Sequence, residues 1–200
     1  INSIMESTMG TESEQAFEGL FDDMQLDSTK LGRTVKDRSV VMSKIVATLA
    51  DITFTTDDTK IDILGNAYEY LIGMFAANAG KKAGEFYTPA GPAELLTLLA
   101  CDGLTDIQDA ADPTCGSGSL LLRLAKHANV RRYHGIELTA QTYNLCRMNM
   151  ILRGIKYQNF HIYNGDTLAE DFFEGQNFRV QVANPPYSAQ WSADPKFIED

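Results

Sequence analysis

Basic residues are scarce: 17 Lys and Arg stand against 27 Asp and Glu, a formal net charge of −10. A chain that grips nucleic acid unaided carries a basic face that releases counterions from the phosphates, so this composition argues that another subunit does most of any such holding. Long hydrophobic runs are missing too. No stretch approaches the roughly 18 apolar residues of a spanning helix, and no basic stretch leads into an apolar run and a small-residue cleavage site, so neither a membrane partner nor a secretory route is expected. Cysteine is sparse. Cys101, Cys115 and Cys146 stand singly, with no Cys-x-x-Cys and no histidine at metal spacing, which removes a disulfide framework and a metal site and fits a cytoplasmic location. Internal repeats and low-complexity tracts are absent as well. The chain opens on Ile1 rather than Met and stops at Asp200, thirteen residues after Tyr187, so a piece of a longer protein is expected.

What is present suits a globular core: 44% of the residues are apolar and 10% aromatic. Residues 1–60 are polar and acidic with helical stretches and few strand signals. From Ile61 the pattern changes. Ile61, Leu64, Tyr68, Leu71, Ile72 and Phe75 recur at helical spacing and predict one amphipathic helix ending near Gly80. A loop-like segment, residues 81–89, leads to a short helix over 92–100 with proline in its first turn. Strand and helix then alternate: strand 107–111, helix 119–127, strand 133–138, helix 139–153, and two further strands at 160–163 and 178–183. Repeated βα units of this kind specify a parallel sheet covered by helices, and right-handed crossovers make it an α/β, doubly wound, Rossmann-like sheet of about four strands behind a helical N-terminal segment.

Asp112-Pro-Thr-Cys-Gly116-Ser117-Gly118-Ser119 follows the first of these strands and opens the next helix. Glycines there let a ligand approach the backbone, and a helix start leaves N–H groups unbonded, although many tight βα turns use the same glycines for packing alone. Asp112 closes the first strand, and Glu137, 25 residues later, closes the second, where an acid is placed to accept hydrogen bonds from ribose hydroxyls. NAD fits poorly, because Gly118 is followed by Ser119, Leu120 and Leu121 rather than the third small residue of G-x-G-x-x-G, and Asp112 would repel a pyrophosphate. S-adenosyl-L-methionine has an amino group, a ribose and no phosphate, and it matches the loop and the two acids group by group. Asp166, in Asn164-Gly-Asp166 after the third strand, could accept a hydrogen bond from an adenine amino group; the alternative is a turn residue capping its own backbone.

These residues, with Gly135-Ile-Glu-Leu138 and the late Asn184-Pro185-Pro186-Tyr187, resemble the amino-methylating DNA methyltransferases. With Gly84-Glu85-Phe86-Tyr87-Thr88-Pro89 upstream, the chain resembles the modification (methyltransferase) subunit of type I restriction-modification systems, and Phe17-Glu-Gly-Leu-Phe21 and Ser28-Thr-Lys-Leu-Gly-Arg33 resemble that family's interdomain segment. The resemblance implies that residues 1–60 end a helical N-terminal domain and linker, and that 61–200 are the N-terminal part of the catalytic domain without its later strands. It places Glu85, Phe86, Tyr87, Thr88 and Pro89 near the methionine end of the cofactor. Asp112, Gly116, Ser117, Gly118 and Ser119 would form the loop beneath it, Glu137 would bind the ribose and Asp166 would face the adenine. It further implies adenine-N6 methylation of double-stranded DNA, a specificity subunit that reads the sequence, and a restriction subunit able to join.

Asn184-Pro185-Pro186-Tyr187 suits a planar amine whose lone pair is delocalised. The side-chain oxygen of Asn184 and a backbone carbonyl at Pro185 would each take one N–H and favour a pyramidal nitrogen, which is stabilisation by fixed dipoles. The prolines hold those carbonyls stiffly, and Tyr187 offers a face to a flipped base, where stacking contributes about 1–3 kcal/mol. Two rivals remain open: transfer to another planar amine (protein glutamine, RNA guanine or cytosine N4), and a cofactor-binding assembly module without activity. The remaining signals read as structural. His127, His134 and His161 show no evident partners, Met148 and Met150 read as core, Arg131 and Arg132 read as a solvated turn, and Trp191 reads equally as packing or substrate mouth.

Overall fold

The computed structural model describes residues 2–51, 58–79 and 88–186, with only the backbone described at 58–62 and 77–79. Glu85, Phe86, Tyr87, Tyr187 and Trp191 lie outside the described residues. The chain divides into two compact units, Ile1–Ile61 and Asp62–Asp200.

The first unit contains helices α1 (Asn2–Thr8), α2 (Glu14–Phe17) and α3 (Val35–Ala50), with a 3-10 turn at Thr29–Leu31. A reciprocal capping box starts α3: the Asp37 amide donates to the Thr34 hydroxyl at 3.2 Å, and the Thr34 amide donates to Asp37 Oδ2 at 3.1 Å. No residue of α3 is buried, although Val35, Val40, Ile45 and Val46 lie along it.

Helix α4 (Asp58–Ala79) leads into the second unit, starting earlier than its apolar periodicity indicates. Helix α5 (Ala90–Ala100) precedes four strands: β1 (Asp106–Asp112), β2 (Asn129–Glu137), β3 (Phe160–Asn164) and β4 (Val180–Gln181). They form one parallel sheet in the order β3-β2-β1-β4. The chain steps outward through α6 (Ser119–Arg123) and α7 (Ala140–Leu152), then crosses back to lay β4 beside β1. The carboxyl ends of β1 and β4 therefore flank the reversal of strand order, the crevice where open α/β sheets hold ligands. Ile107, Ala110, Leu120, Leu121, Leu124, Cys146 and Met150 form the core between sheet and helices, each 2% exposed or less.

Three elements depart from the sequence reading. The helix expected over 119–127 stops at Arg123 and tightens to a 3-10 turn at Leu124–Lys126, since the Leu124 carbonyl takes both the His127 and Ala128 amides and Asn129 is already bonded to Thr105 at 2.9 Å. β2 consequently begins four residues before Tyr133, which puts Arg131 and Arg132 in a strand rather than a turn. β4 is only Val180–Gln181, although the Arg179 amide (to Asp109) and the Val182 amide (to Ala111) continue the pairing at 3.1 and 2.9 Å.

Charged pairs brace the helical face. Glu69 of α4 binds Arg123 at 3.1 Å and Arg153 at 2.5 Å, while Glu94 of α5 binds Arg123 at 3.1 Å and faces His127 at 3.2 Å. No helix among the described residues is long and apolar enough to cross a membrane.

Candidate active site

The loop after β1 is held from below by β2. The Cys115 amide donates to the Ile136 carbonyl at 2.9 Å, and the Gly116 amide donates to Glu137 Oε2 at 3.1 Å. Glu137 Oε1 takes the Thr139 amide, at the start of α7, at 2.8 Å. One carboxylate thus links the glycine loop to the next helix, and each oxygen keeps further acceptor capacity for a ligand hydroxyl. Gly116 and Gly118 have φ of 54° and 78°, the left-handed region that favours glycine. Gly118 has a second reason: a Cβ there would lie 2.8 Å from Cys146 Sγ and 3.3 Å from Met150 Cε, so the loop rests directly on α7. Ser117 and Ser119 are buried with their hydroxyls 3.0 Å apart, and the fully buried Asn149 of α7 donates to the Ser117 carbonyl at 3.0 Å.

Asp112 is 1% exposed and accepts the Thr114 amide at 2.9 Å and, more weakly, its hydroxyl at 3.4 Å. Burial, with a smaller push from Glu137, drives its carboxyl up to about 7, against which the Thr114 bonds act. Asp166 is exposed and its Oδ1 accepts the Leu168 amide at 2.9 Å, so it caps its own turn. Next to it the Thr167 hydroxyl donates to the Pro113 carbonyl, which ties the turn after β3 to the glycine loop.

Beyond β4, the Asn184 amide nitrogen donates to Thr88 Oγ1 at 3.2 Å, joining positions 96 residues apart. Since Val182 pairs with Ala111, the residue before Asp112, Asn184 stands just past the carboxyl end of β1. Thr88, Pro89, Asp112, Gly116, Ser117, Gly118, Ser119, Glu137, Asp166, Asn184, Pro185 and Pro186 are all described, and they come from the carboxyl ends of the four strands and the entry to α5.

Several contributors escaped the sequence reading. The Thr114 and Thr139 amides donate to the carboxylates of Asp112 and Glu137, the Thr167 hydroxyl donates to the Pro113 carbonyl, and Asn149 holds the loop from α7. Only Asn149 left a signal, an amide on the same helical face as Cys146 and Met150. A second cluster lies toward the middle of the sheet. Asp109 binds Arg132 through two bonds of 2.6 and 2.8 Å and faces His134 at 2.9 Å. His134 is 6% exposed and lies against His161 and Phe178 with ring centroids 5.1 and 5.0 Å away, so it is not without partners. Here the sheet is covered by the segment carrying Phe172, Phe173 and Phe178.

The sequence model of the N-6 DNA Methylase family matches residues 59–200. The chain is 40% identical over 198 residues to the type I restriction enzyme MpnII methylase subunit of Mycoplasma pneumoniae, covering 92% of this chain and 36% of that protein. It is 33% identical over 162 residues to the MjaIX methylase subunit of Methanocaldococcus jannaschii, covering 76% of this chain and 28% of that one. The crystal structure of a type I restriction-modification methyltransferase subunit from Streptococcus thermophilus superposes with a TM-score of 0.83 at 43% identity, over 94% of this chain and 41% of that one. The chain thus spans about a third of the length of these two curated relatives.

Proposed function

Because this chain belongs to the N-6 DNA methylase family, we propose that it is part of the modification subunit of a type I restriction-modification system. In this reading it methylates the exocyclic N6 amine of a flipped adenine in double-stranded DNA, with S-adenosyl-L-methionine as methyl donor. The cofactor, when bound, supplies an electrophilic methyl group on a sulfonium. Residues of this chain fit its groups. Asp112, a buried carboxyl to which no cationic side chain bonds among the described residues, suits an ammonium. Glu137 suits ribose hydroxyls, the Gly116-Ser117-Gly118-Ser119 backbone permits close approach, and Asp166 stands at the adenine end. Glu85, Phe86, Tyr87, Thr88 and Pro89 belong at the methionine end.

At the target, Asn184 Oδ1 and the Pro185 carbonyl accept the two amine hydrogens and turn the lone pair toward the methyl group. Pro185 and Pro186 keep that segment stiff, and Tyr187 stacks on the base. The observation that carries this reading is the bond between Thr88 and Asn184, which joins residues 96 apart in the chain just past the carboxyl end of β1. The net charge of −10 agrees with a division of labour in which a specificity subunit supplies most of the DNA grip and a restriction subunit joins the same assembly.

The test is methylation by the full-length protein with its specificity subunit, read as N6-methyladenine in digested DNA by mass spectrometry. Cytosine-rich DNA, RNA and a glutamine-bearing protein serve as competing acceptors. Methyl transfer to any of these in preference to adenine sinks the assignment.

A further inference from the structure

The bond between Asn184 and Thr88 joins two residues that share an unusual property: each is followed by proline, Pro89 after Thr88 and Pro185 after Asn184. A residue before proline is pushed into extended backbone by the pyrrolidine ring, so both stems are stiff. Thr88 is also β-branched, which restricts its χ1 and fixes where the hydroxyl points. It sits at the entry to α5, whose first turn is anchored by the Ala93 amide donating to the Pro89 carbonyl at 3.1 Å. Oγ1 is thus presented from a braced position.

A carboxamide has one accepting end and one donating end, and both are nearly the same size. Facing an amine, an Asn is useful only with its oxygen forward, because the turned-over amide would set N–H against N–H. Asn184 is half-buried, and its Nδ2 is engaged at 3.2 Å by Thr88 Oγ1. That bond holds the nitrogen toward Thr88, and because a hydroxyl can also donate, what it supplies is a fixed position for the carboxamide.

We infer that Thr88 is a positioning residue that holds the Asn184 carboxamide in place, in addition to any contact it makes with the cofactor. This rests on the functional reading given above. Thr88 does not touch the reacting atoms in this role; it acts through Asn184. It also links the segment at the cofactor's methionine end to the group that receives the target amine.

The experiment uses the full-length enzyme with its specificity subunit and compares wild type, Thr88→Val, Thr88→Ser, Asn184→Ala and the Thr88→Val/Asn184→Ala double variant. Thr88→Val keeps shape and removes the hydroxyl. At saturating S-adenosyl-L-methionine it should lower the single-turnover methylation rate by about 10–100-fold, as a misaligned reacting group does, while the KM for DNA moves less than about threefold. Thr88→Ser should restore most of the rate. In the Asn184→Ala background the valine should add little further loss, since its effect passes through an amide already removed. A Thr88→Val rate that recovers fully at saturating cofactor, or losses that multiply in the double variant, overturns the positioning role. An active wild type with an unaffected Thr88→Val overturns it alone, whereas a wild type that transfers no methyl to adenine brings down the functional reading and this role with it.

Discussion

Asp109 and Asp112 stand three residues apart on β1 in opposite surroundings. Asp109 meets the Arg132 guanidinium at 2.6 and 2.8 Å and His134 at 2.9 Å, and these partners, Arg132 foremost, hold its carboxyl below the usual range. Asp112 is 1% exposed, bonds to Thr114, and is driven by burial up to about 7. Register accounts for the split. Asp109 lies level with Arg132, whereas Asp112 lies level with Gly135, which has no side chain to answer it. The middle of the strand is thus electrostatically closed, whereas its carboxyl end holds a buried carboxyl with no cationic side chain bonded to it among the described residues.

The largest test of the contrast is stability against pH. For Asp112 the folded pKa is raised, so its contribution is fully present below 3.8 and is lost as pH climbs to about 7. A shift of that size corresponds to on the order of 4 kcal/mol as an upper bound, with 1.4 kcal/mol per unit. Asp112→Asn keeps the acceptor for Thr114 and removes the titration. Urea unfolding should therefore show the variant gaining on wild type between pH 4 and pH 7.5, by about 2–4 kcal/mol. Parallel stability curves over that range would mean that the buried carboxyl costs nothing, and the contrast with Asp109 would vanish.

The second test asks whether that cost is exchanged for binding. Asp112→Asn should weaken S-adenosyl-L-methionine binding by about 10–100-fold, the usual consequence of removing one member of a buried charge pair. Asp109→Asn should leave it within about twofold. Wild-type affinity should also fall as pH drops below about 7, because Asp112 must shed a proton to meet an ammonium; calorimetry in buffers of different ionisation heat would detect that release near pH 6. Equal affinity losses in the two variants would erase the distinction.

The same contrast explains what the sequence could disclose. Asp112 and Glu137 were legible because each ends an apolar strand run and is followed by a helix start. Local order along the chain is enough to place them. Asp109, Arg132 and His134 were not legible, because their partnership depends on the register between two strands, and the amino half of β2 is mostly exposed and lacks the apolar run that marks a strand. Arg131 and Arg132 therefore read as a turn. The short helix α6 was overlong in the sequence reading for a related reason: nothing local reveals that Asn129 must already pair with Thr105. Asp166 shows the limit from the other side, since its position was legible but its bond to the Leu168 amide matches both the turn-capping and the ligand-facing readings.

The smallest effect is expected at Asp109 itself. Arg132 is 44% exposed along its side chain and loses little on returning to water, whereas His134, 8% exposed, would face a neutral amide instead of a carboxylate. Asp109→Asn should therefore cost about 1 kcal/mol at pH 7, the scale of a partly exposed charged pair with one buried bond. The sign is opposite to that of Asp112. A lowered folded pKa gives stability that is present above 3.8 and lost as pH falls, so the deficit of Asp109→Asn should shrink toward zero in unfolding curves taken below pH 3.8. Neutralising the pair with Asp109→Asn and Arg132→Gln together should cost little more than the first change, because the guanidinium acts on stability chiefly through this carboxylate. Additive losses would instead assign Arg132 an independent role, and Asp109 would then be no more self-contained than Asp112.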